Sequence, residues 1–274
     1  MTIDTTIELH DINLYTHIQK FPTWNISKQE RRENIVVVVR TRNEARNIER
    51  FCHSYHDADS IIVADGGSED DTVERALEFP NVDVIKYDKR VELANGYWRN
   101  NDSDHANFLF WYAQCMLPKP DWIIYDDCDC VPNENLRLSY REILRNCNDD
   151  FVMAVRLYLF GDGGMHFPYM AKPGDGHVNW ETSLYAFRGN LDFKTVDVPP
   201  AYTFKFGDMD IKDFRTDTYC LELFPPLCLL HYSWENIDAL DKKLKTYRES
   251  GFIPMSHPLD FAGVLEPLPE WAHT

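Results

Sequence analysis

Apolar and polar positions along the first ninety residues follow two alternating periods. Ile35-Val-Val-Val-Val-Arg40 carries no polar residue until its end, and its run of valines predicts a strand buried on both faces. Thr41-Arg-Asn-Glu44 breaks the run, and Ile48, Phe51, Cys52 and Tyr55 then recur at helical spacing. Ser60-Ile-Ile-Val-Ala64 predicts a second buried strand, which runs into Asp65-Gly66-Gly67-Ser68. Ser68 and Asp71 have the spacing of a capping box for a helix bearing Val73, Ala76 and Leu77, and Pro80-Asn81 ends it. Val82 to Tyr87 predicts a third strand. This order of elements predicts right-handed βαβ units and a mostly parallel sheet of the α/β class.

Further along, residues 88–106 are polar and irregular, and 107–116 predict a helix. Trp122-Ile-Ile-Tyr-Asp-Asp-Cys-Asp-Cys-Val131 predicts a buried strand ending in carboxylates. Leu136, Tyr140, Ile143 and Leu144 mark the next helix, Phe151–Leu159 and Ser183–Phe187 two more strands. The segment 161–176 holds five of the twelve glycines, the pattern of a lid, a binding loop or disorder. Leu227-Cys-Leu-Leu230 leads into His231-Tyr-Ser-Trp234, followed by a helix with Ile237, Leu240, Leu244 and Tyr247 in register. Lys242, Lys243, Lys245 and Arg248 on that helix form a solvated face or a group able to close over a diphosphate.

In parallel sheets ligands collect beyond the carboxyl ends of the strands. Residues two apart in an extended chain share a side, so Asp127 and Asp129 point together and Asp126 away from them. Converging carboxylates are costly without a positive partner. Mg2+ or Mn2+, shared with substrate phosphates, is one solution; a solvated acidic turn is the other. Asp65 can accept from a base N–H or a ribose hydroxyl, with Gly66 allowing close approach, or can belong to a plain turn. Neither a dinucleotide glycine fingerprint nor a phosphate-binding loop with Gly-Lys-Ser/Thr is present.

Composition narrows the field. The 274 residues carry a formal net charge of −17, which disfavours nucleic acid and anionic membrane surfaces as partners. No apolar run reaches the roughly 18 residues of a membrane span, and Met1–Glu8 lacks the marks of a secretion signal. No membrane anchor is expected. Seven irregularly spaced cysteines fit reduced thiols and a cytoplasmic setting. Cys128-x-Cys130 has no second Cys/His pair at zinc-finger spacing.

Val36-Val-Val-Val-Arg-Thr-Arg-Asn-Glu44, Ile62-Val-Ala-Asp-Gly-Gly-Ser68 and Trp122-Ile-Ile-Tyr-Asp-Asp-Cys-Asp129, in this order and at these strand ends, resemble a family 2 glycosyltransferase of GT-A fold. His231-Tyr-Ser-Trp and the Lys- and Tyr-bearing helix after it resemble the C-terminal element of some members. The resemblance spans about residues 34–250, leaving 1–33 as an N-terminal extension and 251–274 as an irregular tail. Residues 34–131 are the nucleotide-binding half and 132–250 the acceptor half. An Arg-Asn pair usual in the family falls at Arg99-Asn100 or is replaced by Ala106-Asn107.

The resemblance implies metal-dependent, inverting transfer of a hexosyl or pentosyl group from a nucleotide sugar, a UDP-sugar first, to an acceptor hydroxyl. The acceptor is a glycan, a lipid-linked molecule or a protein, with nucleic acid disfavoured by charge. By the same resemblance Thr41, Arg42, Asn43, Glu44, Asp65 and Gly66 hold the nucleoside. Asp127 and Asp129 hold the diphosphate through Mn2+ or Mg2+, with His231 as a further ligand; Lys243, on the basic helix expected to flank the site, is a candidate to close over the phosphates. The base lies among Asp208 and Asp210, in an acidic loop of the kind the family uses, Glu181, whose neighbour Trp180 favours a raised pKa, and Asp197, which looks like a turn residue. Two rivals share the fold: a sugar-phosphate nucleotidyltransferase, whose glycine-rich N-terminal loop is replaced here by Arg40-Thr-Arg-Asn43, and a non-catalytic nucleotide-sugar-binding module.

Overall fold

The valine run lies between two apolar layers, as its pattern requires. In β1 (Ile35–Thr41) Ile35, Val37 and Val39 face one buried cluster while Val36 and Val38 face another. The computed structural model describes residues 32–88, 90–92, 98–100, 102–160, 165–166, 182–198, 201–210, 220–234, 266–267 and 270–272. After β1 come α1 (Ile48–Ser54), β2 (Ser60–Asp65), α2 (Thr72–Ala76) and β3 (Val82–Lys86). A short hairpin, β4 (Arg90–Glu92) and β5 (Trp98–Asn100), precedes α3 (Asp102–Cys115). Next are β6 (Trp122–Asp127), β7 (Cys130–Pro132), α4 (Glu134–Asn146), β8 (Phe151–Phe160) and β9 (Met165–His166). The chain continues with β10 (Thr182–Arg188), β11 (Phe193–Val198), β12 (Ala201–Phe206), β13 (Met209–Asp210), β14 (Cys220–Trp234) and β15 (Glu266–Pro267).

Ten of these strands form one sheet in the order β15-β9-β8-β10-β6-β1-β2-β3, with β14 joined to β7 and β8. The β3-β2-β1-β6 half is parallel, and β10 enters antiparallel between β6 and β8. The α/β, mostly parallel architecture expected from the sequence is therefore present. α3 covers one face through Ala106, Leu109, Phe110 and Ala113, all fully or almost fully buried. α4 lies against the other through Leu136, Tyr140 and Leu144, and its first turn is held by the Asn133 side chain accepting from the Leu136 N–H at 3.2 Å. Among the described residues no helix is long and apolar enough to cross a membrane.

Several details differ from expectation. The polar stretch 88–106 contains a hairpin and the first turn of α3. Ser68 does not cap α2: the N-cap is Asp71, without a side-chain bond, and Ser68 Oγ turns to Asp65 instead. Leu77 lies just past the end of α2 and is exposed, so it is not part of the buried stripe. The hairpin β11-β12-β13 forms a second sheet, whose Phe193, Phe204 and Phe206 pack around Phe110, Tyr125 and Phe151. In the C-terminal tail β15 pairs with β9, and Ala272 is fully buried in the core.

Candidate active site

Parallel pairing sets the ends of three strands side by side. Thr41 is level with Asp65 across β1 and β2, and Arg40 is level with Asp127 across β1 and β6. The polar residues that end these apolar strands therefore gather on one edge of the sheet, the edge where ligands bind in open α/β folds.

Each of the three acids at the end of β6 and in the turn after it has its own basic side chain beside it. Asp126, with no exposed side chain, accepts from Arg156 Nη2 at 2.8 Å. Burial, reinforced by the Asp127 charge and opposed by Arg156, raises its pKa to about 6. Asp127 is gripped by Arg40 through Nε at 3.2 Å and Nη2 at 3.0 Å. Burial pushes its carboxyl up, but Arg40, helped by Arg156 and His231, outweighs burial and the nearby Asp129 charge, so the pKa falls below its ordinary value. Asp129 Oδ1 lies 3.2 Å from His231 Nε2. β14 pairs His231 with Cys130, and the Tyr232 N–H donates to the Asp129 carbonyl at 2.7 Å, which ties the acidic turn to β14.

The first two strand ends form a knot of short bonds. Asp65 Oδ2 accepts from the N–H groups of Gly67 and Ser68, each at 3.0 Å, and Oδ1 accepts from Ser68 Oγ at 2.5 Å. Gly67 has φ 83°, a left-handed conformation that favours glycine. Asn43 donates its N–H to Ser68 Oγ and accepts from the Glu69 N–H at 2.8 Å, while Glu44 accepts from Asn47 Nδ2 at 2.7 Å. Arg42 is half-buried in the same loop and Gly66 is buried, its N–H donating to the Thr41 carbonyl at 2.8 Å. Thr41, Asn43, Glu44 and Asp65 thus shape the cradle, whatever else they touch.

α3 lays His105 across this cradle. The imidazole is 2 % exposed and stacks on Tyr87 at 5.0 Å, and its Nε2 meets no hydrogen-bond partner among the described residues. Burial and then the charge of Arg40 lower its pKa to about 4, against the Ala64 carbonyl and Asp65. A folded pKa below the unfolded 6.5 means that the unfolded chain binds the extra proton. The contribution is therefore complete above pH 6.5 and is lost as pH falls towards 4. At about 1.4 kcal/mol per unit it amounts to at most about 3 kcal/mol. Asp126 acts with the opposite sign over much of this range, so the comparison must be made within one series. Urea unfolding from pH 7 to 4 should show a flatter acid limb for His105→Gln than for the wild type. Parallel limbs would mean that His105 is not neutral in the fold.

The remaining candidates fall into two groups. Asp208 is exposed at the turn between β12 and β13, beside Gly207 with φ 58°. Phe206, two residues earlier, meets Phe151, and Phe151 is level with Phe187, which pairs with Ile123 near the start of β6. Phe204 meets Tyr125 and Phe206 meets Phe151, so β12 runs along β6 away from Asp127 and the turn bearing Asp208 follows its farther end. Asp210 pairs with Lys205 in the same hairpin and Asp197 pairs with Tyr202 within β11-β12; in both cases this describes the backbone alone. Glu181, Lys243 and most of 161–176 lie outside the described residues. β10 is antiparallel to β6, so its first residue, Thr182, belongs to the end of the sheet where β6 finishes. Asn107 is taken up by Thr195, donating to its carbonyl at 2.9 Å and accepting from its N–H at 2.7 Å.

Sequence reasoning missed Arg40, Arg156 and His105. Arg40 alone carried a signal, as a cation ending an otherwise apolar strand. Among the described residues no three acid, histidine or cysteine groups converge as a metal cage. The donor chemistry nonetheless fits a divalent cation: Asp129 and His231 already face each other, and Asp127 is near enough for the two carboxylates to influence one another. Cys128 and Cys130 are poor ligands here, because burial pushes both thiols well up and disfavours thiolates.

The family model described as "Glycosyl transferase family 2" matches residues 36–210. No curated protein sequence gives a significant match. Among solved structures, residues 1–349 of S. aureus TarS align at 15% identity and TM-score 0.38, covering 57% of this chain and 47% of that one. Glucosyl-3-phosphoglycerate synthase from Mycobacterium tuberculosis, in complex with Mn2+, UDP and phosphoglyceric acid, aligns at 23% identity and TM-score 0.33, covering 46% and 43%. Mannosyl-3-phosphoglycerate synthase from Rubrobacter xylanophilus aligns at 22% and 0.33, covering 48% and 43%. The matched part of this chain thus spans less than half the length of each.

Proposed function

The chain belongs to glycosyl transferase family 2, and on that premise we propose that it moves a hexosyl or pentosyl group from a UDP-sugar to an acceptor hydroxyl with inversion. The observation that carries the reading is the row of strand ends in which Asp65, the Arg40–Asp127 pair and the Asp129–His231 pair share one edge of the sheet. The Asp65 end is assigned to the nucleoside, together with Thr41, Arg42, Asn43, Glu44 and Gly66. Asp127, Asp129 and His231 would hold Mn2+ or Mg2+, which supplies positive charge for the diphosphate and its leaving oxygen. Lys243 is assigned to the same phosphates.

Departure of the diphosphate leaves an oxocarbenium-like anomeric carbon, which the acceptor oxygen attacks from the opposite face. A carboxylate must take the acceptor proton as that bond forms. The register of β10, which begins at the end of the sheet where β6 finishes, supports Glu181, the residue before Thr182, for this role, with Asp208 and Asp210 as the alternatives. The free state of all seven thiols supports a reducing, cytoplasmic setting. A glycan, a lipid-linked molecule or a protein is the proposed acceptor class, and the net charge of −17 argues against nucleic acid. Thermal shifts against UDP-, GDP- and CDP-sugars test the donor: UDP-sugars with Mn2+ should give the largest stabilisation. An equal response to all three would remove the uridine assignment.

A further inference from the structure

A cleft of about 610 Å³ lies between α1, the start of α4 and β14, lined by none of the residues assigned to the donor. Its walls include Arg50, His53 and His56 from α1 and the turn after it, Arg137 from α4, and Tyr232 from β14, and Glu134 is the one acid among the described lining residues. His231 and Tyr232 are successive residues of an extended strand, so they leave on opposite sides: His231 toward Asp129, Tyr232 into this cleft. The Arg50 guanidinium lies over the Tyr232 ring, 3.7 Å from its centroid. Face-on stacking fixes the plane of the guanidinium, and its N–H groups donate within that plane. Arg137 meets Glu134 at 3.7 Å in an i,i+3 pair with more than half of the Glu134 side chain exposed, a weak link on the cleft rim.

In a chain of net charge −17, two guanidiniums about one cleft stand against the overall field, with two imidazoles as further hydrogen-bonding groups. We propose that this cleft is a second anion site, separate from the donor site, that takes a phosphoryl dianion. Two planar forks match the tetrahedral oxygens of such a group in a way that a single carboxylate ligand would not require. The Tyr232 N–H donates to the Asp129 carbonyl, so an occupant resting on Tyr232 touches the strand that steadies the acidic turn. The site does not depend on the proposed sugar transfer.

The test is calorimetric titration of the full chain with inorganic phosphate and with glycerol 3-phosphate, at matched ionic strength and with saturating UDP and Mn2+ present. Saturable binding is expected, weakened tenfold or more in both Arg50→Gln and Arg137→Gln. Preference for the ester identifies an organic phosphate as the occupant and equal affinity a free one; both sustain the site. Arg137 is half-buried on α4 with a weak partner, so its variant is expected to fold even if Arg50→Gln does not, and UDP binding by the variants reports on the donor site independently. Unsaturable binding, equal affinity in the Arg137 variant and wild type, or displacement of phosphate by UDP would overturn the proposal.

Discussion

Arg156→Met is expected to lower stability at pH 7 by about 1–2 kcal/mol, less than the roughly 3–5 kcal/mol of a buried charge that cannot be neutralised, because Asp126 can take up a proton. Asp126 has no exposed side chain, and Arg156 is the cation beside it. Without Arg156 the carboxylate must stay charged in the core or take up a proton. Protonation sets a ceiling: with a wild-type folded pKa of about 6, neutralising Asp126 at pH 7 costs only about 1.4 kcal/mol beyond what the wild type already bears, at about 1.4 kcal/mol per unit. The sign of the pH dependence follows. In the wild type the folded pKa of Asp126 is raised to about 6, so the folded chain binds the extra proton and this destabilisation is relieved as pH falls from above 6 toward 3.8. In the variant the folded pKa climbs further, so the loss relative to wild type should shrink steadily from pH 7 to pH 5. Adding Asp126→Asn should recover most of it. A loss that does not vary with pH would point to packing of the arginine stem instead of its charge.

Glu181→Gln is expected to reduce turnover by about 10²-fold or more while leaving donor affinity intact, the signature of a missing general base. Asp208→Asn should remain near wild type, because its side chain is exposed at a hairpin turn. Asp210→Asn should behave likewise. Steady-state rates with a fixed acceptor, alongside calorimetric donor affinities, separate these outcomes. Collapse of turnover in Asp208→Asn with Glu181→Gln unaffected would return the base to the hairpin.

The donor half was legible because it is local. The β1, β2 and β6 runs are continuous apolar segments ended by polar residues, and parallel pairing then aligns Asp65 and Asp127 without further information. The cations were not legible because their partners come from sheet register: Arg40 and Asp127 are 87 residues apart, Arg156 and Asp126 are 30. His105 reads as one polar residue on a helix until α3 folds it beneath Tyr87. The β11–β12 hairpin does show period-two alternation in Phe193-Lys-Thr and Phe204-Lys-Phe, but Val-Pro-Pro between the strands disguises the pair. Ser68 was misread as a cap because its hydroxyl has a nearer carboxylate in Asp65.

The central claim is that one edge of the sheet binds a nucleoside diphosphate through the acidic turn and a divalent cation. The most direct measurement is a calorimetric titration of UDP into wild type and Asp129→Asn, each in Mn2+ and in chelator. The account predicts tight binding by the wild type in Mn2+ only, weakened by roughly tenfold or more in Asp129→Asn, about 1.4 kcal/mol. UDP binding of equal strength in chelator, or unaffected by Asp129→Asn, would contradict it.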